Sequence, residues 1–275
     1  MNIGKLELFL KTLGLFEAPM GLFYTDTEPA EGFSPPPGEL PTRDREKENQ
    51  IDWQQVFSSF SCFLQKTWLA RKKHTAAYIS AERFGCPGAA FWLGFLKPQT
   101  ETIIHYVSSG IPDRLPGEHY CESPDELRRI FAEIDPRPAP AKYCVIKPLD
   151  LFTTGEVPEV VAFFARPESM AGLHQLAAFV TNDPEVVASP WSAACGGLGA
   201  WPLKFISEGK IRAVIGGWDP SARKFYKADE LSFAMPLSLF QAMLDRFEDS
   251  FLMTETWQTV KKKIERSKKA WGEDA

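Results

Sequence analysis

Two stretches of this chain are apolar at nearly every position: Tyr143-Cys144-Val145-Ile146 and Val160-Val161-Ala162-Phe163-Phe164. A strand with one wet face alternates apolar and polar side chains, whereas a strand without alternation is covered on both faces. These segments therefore read as central strands of a sheet with a layer above and a layer below. Shorter runs join them as expected strands: 19–24, 76–79, 102–107, 211–217 and 230–235. Helical spacing of apolar residues predicts helices over about 3–14, 51–73, 87–95, 123–134 and 167–180, and the C-terminal segment is helical as well. Ser123-Pro124-Asp125-Glu126 has the form of a capping box, with a hydroxyl, a proline at the first helical position and an acid at the third. Strands and helices alternate without a strict strand–helix–strand rhythm. The expected fold class is therefore mixed α/β (α+β), with a mixed β-sheet flanked by helices in a single compact domain over residues 1–275. Two appendages are expected: an exposed Pro-rich loop at 25–50 and a Lys-rich C-terminal helix at about 254–271.

Composition narrows the function classes. The 275 residues are 44% apolar and carry 31 basic against 36 acidic side chains, a net charge of −5. That balance is expected of a soluble protein and argues against a general nucleic-acid binder, which needs a basic stripe. The N-terminal run has its leucines interrupted by Glu7 and Lys11, so it reads as an amphipathic helix rather than a signal peptide. No run approaches the roughly 18 apolar residues of a membrane span. A cytoplasmic location without membrane partners is the expectation.

Five cysteines in a chain of this length do not form a disulfide framework. Cys86 stands directly before an expected helix, where backbone N–H groups and the dipole favour a thiolate. Cys195 precedes an expected glycine turn, Gly196-Gly197, and the missing side chains there let a ligand approach the backbone. Cys62 falls mid-helix in Phe60-Ser61-Cys62-Phe63. If the three meet, Cys62, Cys86 and Cys195 could hold an iron–sulfur cluster or zinc, with Gly196 and Gly197 leaving room for it. The spacing is unlike a CxxC motif, and the alternative, favoured by the usual fate of a free cysteine, is packing, with Cys62 a small buried apolar residue. Cys144, within an apolar strand, reads as core. Cys121 in His119-Tyr120-Cys121 could bind metal, but such a lone pair is more often a surface loop. The four histidines never take paired ligand spacing, and no nucleophile elbow or phosphate-binding glycine loop occurs. Asp219 and Arg223 could line a site or form a surface ion pair in a turn.

Several segments, in order, resemble the "domain of unknown function 169" family. They are Ala18-Pro19-Met20-Gly21-Leu22, Ser61-Cys62, Cys86-Pro87-Gly88-Ala89-Ala90 with Leu93-Gly94-Phe95, Lys147-Pro148-Leu149, Pro158-Glu159-Val160-Val161, Cys195-Gly196-Gly197 and Asp229 to Pro236. The resemblance spans most of residues 1–250. It implies a bacterial or archaeal protein whose relatives place cysteines where Cys62, Cys86 and Cys195 stand, and hence that these three converge. It implies no activity. The chain departs from the family pattern at Gly217 to Arg223, where a compact glycine-aspartate-arginine segment is spread out, and in the long loop at 25–50.

Three functional readings follow. The first is a metal or iron–sulfur protein with Cys62, Cys86 and Cys195 as ligands, an open position for redox or Lewis-acid chemistry, and a redox partner. The second is a small-molecule binding module without catalysis, its pocket near Cys86 and Cys195 lined by aromatics such as Trp92, Trp191 and Trp201. The third is a thiol enzyme with Cys86 as nucleophile. Whether the protein is an enzyme, and its oligomeric state, stay open at this level.

Overall fold

The structure is a computed structural model that describes residues 3–38 and 60–272. The two apolar runs form β5 (Tyr143–Pro148) and β6 (Val160–Ala165). Between them lies β1 (Met20–Thr25), which pairs antiparallel with both. The sheet is completed by β2 (Ala77–Ser80), β7 (Val187–Ala188), β8 (Ala213–Gly216) and β9 (Leu231–Pro236), while β3 (Gly110–Ile111) and β4 (Leu115–Pro116) pair with each other in a separate two-stranded sheet. The order of the main sheet is β2-β5-β1-β6-β9-β8-β7, seven strands. All the pairings are antiparallel except β7 with β8, so the sheet is mixed.

Alternation along β6 shows why no polar position was tolerated. Val160 and Ala162 pack into one core layer, while Val161, Phe163 and Ala165 pack into the other. The second layer is closed by α1 (Ile3–Leu13), α6 (Pro167–Thr181) and α8 (Leu237–Arg246). There Phe9 sits edge-on to Phe240 and Phe247 at 6.2 and 5.5 Å. The first layer holds α2 (Phe63–Lys73), α3 (Pro87–Trp92), α4 (Glu101–Val107) and α5 (Pro124–Ile134). It also holds a π-helical turn, Gly196–Ala200, which runs into α7 (Trp201–Ser207). The chain ends in α9 (Glu255–Trp271), and no described helix is long and apolar enough to cross a membrane.

The structure corrects three local expectations. Residues 102–107 are helical, not a strand. The Thr100 hydroxyl accepts from the Ile103 N–H, Glu101 suits the first turn, and Gln99 ties the segment to α3 by donating to the Pro87 carbonyl at 3.1 Å. These caps outweigh the β-branched Ile-Ile pair, whose buried side chains fill one helical face. The helix expected over 51–73 begins at Phe63, so Cys62 is its N-cap and not an interior residue. Residues 51–59 of that expectation, and 39–50 of the Pro-rich loop, lie outside the described residues. Finally, Cys195-Gly196-Gly197 is no turn: the glycines are wound into the π-helical segment.

Candidate functional site

The geometry starts from a backbone contact. The Ser61 N–H donates to the Gly85 carbonyl at 3.1 Å. Gly85 has φ +77, and a Cβ there would lie 2.0 Å from the Ser61 carbonyl oxygen. Only glycine permits this approach. One residue further along each segment come Cys62 and Cys86, the N-caps of α2 and α3. The Cys86 sulfur accepts from the Ala89 N–H at 3.3 Å, and Pro87 occupies the first helical position, where its missing donor costs nothing.

Cys195 comes from a third segment, directly ahead of the π-helical turn. Gly196 lies flush on the indole of Trp92, since a Cβ would be 2.8 Å from Trp92 Cε3, and a Cβ on Gly197 would lie 3.3 Å from the Gly216 Cα. The wide turn is a feature often found at functional sites. All three cysteines line one cavity of about 760 Å³.

The thiols are neutral. Burial pushes Cys86 up to about 12, the neighbouring Cys62 adds to the rise, and the Ala89 and Gly88 N–H groups oppose it. Burial likewise drives Cys195 well up, reinforced by the charges of Cys62 and Cys86, so the three groups lie within electrostatic reach of one another. Burial also raises Cys62, against the pull of the Gln65 and Leu64 N–H groups. The expectation that a helix start lowers the Cys86 pKa is therefore overturned: the helix contact is present, but desolvation of the charged form outweighs it.

The reactivity of Cys86 follows. Its thiolate fraction rises with pH all the way to about 12. At pH 7, iodoacetamide should label it on the order of a thousandfold more slowly in the native protein than in urea. Peptide mapping by mass spectrometry measures this. Equal labelling in both states would show that the sulfur is not desolvated.

The rest of the wall is aromatic and acidic. Trp92, Phe131 and Trp191 form a cluster with centroid distances of 5.8, 6.4 and 6.5 Å. Tyr106 from α4, Tyr120 and Trp218 extend it, the last 57% exposed. Glu118 and Asp219 also line the cavity, with Lys224. Desolvation raises the Glu118 pKa, the Asp219 charge raises it further, and a hydrogen bond from Tyr106 opposes both. Asp219 accepts from the Ser221 N–H at 2.9 Å, the Ser221 hydroxyl at 2.7 Å and the Ala194 N–H at 3.4 Å.

Among the aromatics expected near the cysteines, Trp92 and Trp191 line the cavity. Trp201 does not: its indole N–H donates to the Trp191 carbonyl at 3.2 Å, behind the wall. The suggested Asp219–Arg223 ion pair is absent. Arg223 instead gathers the carbonyls of Gly217, Lys227, Ala228 and Glu230, at 2.7–3.2 Å. Cys144 is buried in β5 as core, and neither Cys121 nor any of the four histidines lines the cavity. Sequence reading missed Glu118, Tyr106, Tyr120 and Lys224, because nothing local distinguishes them; topology alone brings them in. For a shared metal ion there is no structural support: among the described residues no group of three or more His, Cys, Asp and Glu side chains could hold one.

The fold and the cavity define a class: a single α+β domain with a thiol-walled, aromatic pocket on one face of a mixed seven-stranded sheet. The chain belongs to the DUF169 family, described as "Uncharacterised ArCR", which matches residues 9–246. No curated protein matches the chain, and no solved structure does.

Proposed function

We propose that the protein binds a small organic molecule in the cavity between the three cysteines and the aromatic cluster. One observation carries the reading. A pocket of about 760 Å³, within the roughly 300–1,000 Å³ typical of ligand sites, is lined mainly by apolar and aromatic groups with a few polar ones. The neutral thiols extend the apolar wall rather than supplying a nucleophile.

The test uses the uncharged dye N-phenyl-1-naphthylamine. Fluorescence titration should give saturable one-to-one binding. A Val107→Trp variant, which fills the cavity from α4, should weaken it by about tenfold or more at an unchanged melting temperature. Unaltered binding in the filled variant would place the dye elsewhere and remove the reading.

A second reading rests on the convergence of Cys62, Cys86 and Cys195 from three separate segments onto one wall. An iron–sulfur cluster spreads its thiolate ligands over several irons, so it needs a wider sulfur arrangement than a single zinc ion does. In this reading the three cysteines hold the cluster, the cluster supplies redox or Lewis-acid chemistry, and the cavity holds what it acts on. Protein purified without oxygen should then contain iron and inorganic sulfide, both lost in Cys86→Ser. Colourless, iron-free protein leaves the first reading alone.

A further inference from the structure

We infer that the occupant of this cavity is an organic cation, a primary or quaternary ammonium ion carried on an apolar body. The inference rests on the cavity being a ligand site and adds the sign of the ligand's charge.

Among the described residues, three charged side chains face the cavity: Glu118, Asp219 and Lys224. Two acids against one base leave this described wall net negative. Glu118 and Asp219 are close enough to repel each other. Both lie within a partly desolvated wall, and neither is in an ion pair among the described residues. Like charges held together away from water are relieved by a counter-charge between them. The lysine does not provide it. Its ammonium is placed over the Phe225 ring, 5.3 Å from the centroid, and its side chain is exposed.

The second argument is independent of the carboxylates. Indole and phenol faces carry negative quadrupoles, and Tyr106, Tyr120, Trp191 and Trp218 all line the same space. A cation surrounded by rings gains more as water is excluded, which is the arrangement that recognises alkylated ammonium groups. Besides Lys224, the N-termini of α2 and α3 favour an anion, and a sulfur already meets each: Cys86 accepts from the Ala89 N–H at 3.3 Å, and the Leu64 and Gln65 N–H groups act on Cys62. An anionic ligand would also have to approach two carboxylates.

Three probes of one shape separate charge from fit: phenyltrimethylammonium, its uncharged carbon analogue tert-butylbenzene, and benzenesulfonate. Calorimetric titration should show the cation binding at least about tenfold more tightly than the neutral analogue, with the sulfonate weakest. Glu118→Gln should weaken the cation about fivefold and leave the neutral probe unchanged. Asp219→Asn, which keeps an acceptor for the Ser221 turn, should act in the same direction. Equal affinity for cation and neutral analogue would overturn the charge assignment while leaving the cavity reading intact. Binding by none of the three would overturn both.

Discussion

An Arg71→Ala variant is expected to lose about 3–5 kcal/mol of stability, the range for stripping one partner from a buried ion pair. Arg71, on α2, has a side chain 7% exposed, and Glu230 ahead of β9 has one 3% exposed. The guanidinium donates to Glu230 through Nη2 at 2.7 Å and Nη1 at 2.9 Å, and to Glu17 at 2.6 Å. Its plane also lies over Phe164, 3.8 Å from the centroid. Without it the Glu230 carboxylate keeps the Lys227 N–H at 3.3 Å and little else. For a domain of this size such a loss corresponds to a fall of roughly 10 °C in melting temperature. Thermal and urea unfolding measure it. An Arg71→Met, Glu230→Gln double variant should recover much of the loss, because the penalty comes from the stranded charge. A single variant within 1 kcal/mol of the parent would show that Glu230 finds another partner or takes up a proton. The pair also joins the far end of the Cys62 helix to the segment that carries Asp219, so its removal should loosen the cavity.

Trp92→Ala carries a comparable expectation of about 3–5 kcal/mol, the usual cost of truncating a large buried aromatic. Trp92 is 3% exposed and stands between Phe91, Phe131, Trp191 and the backbone of Gly196. The surroundings cannot collapse into the gap easily, because α3 is held by Gln99 at one end and the π-helical turn by Gly216 behind it. Trp92→Phe should cost less. If Trp92→Ala were nearly neutral in urea unfolding, the indole would have to be cavity furniture rather than core.

Much of this architecture was legible in the residues. The unalternating runs at 143–146 and 160–164 required a doubly covered sheet, and they are its interior strands. Ser123 caps α5 through the Glu126 N–H as its spacing implies. The failure at Thr102 to Val107 shows the limit of propensity: Ile-Ile favours strand, but Thr100 and Gln99 fix the helix through contacts that composition does not reveal. The site was half legible. Cys62, Cys86 and Cys195 do line one cavity. Asp219, read from the sequence as able to line a site, does line the cavity, whereas Glu118 sits in a segment without motif and reaches it only through long-range topology. The Cys86 thiol went the other way: its helix contact was readable, but its ionisation is set by burial, which a sequence does not state.

The Gly196–Ala200 segment is wound one residue too loosely for an ordinary helix. Such an insertion puts the chain before it out of phase with the chain after it. Cys195 therefore answers to the pocket while α7 answers to the sheet. Tightening that single coil would swing the sulfur to a new bearing relative to α7, so the heading of Cys195 is set by one short stretch of small residues packed against Trp92, Leu93 and Gly216.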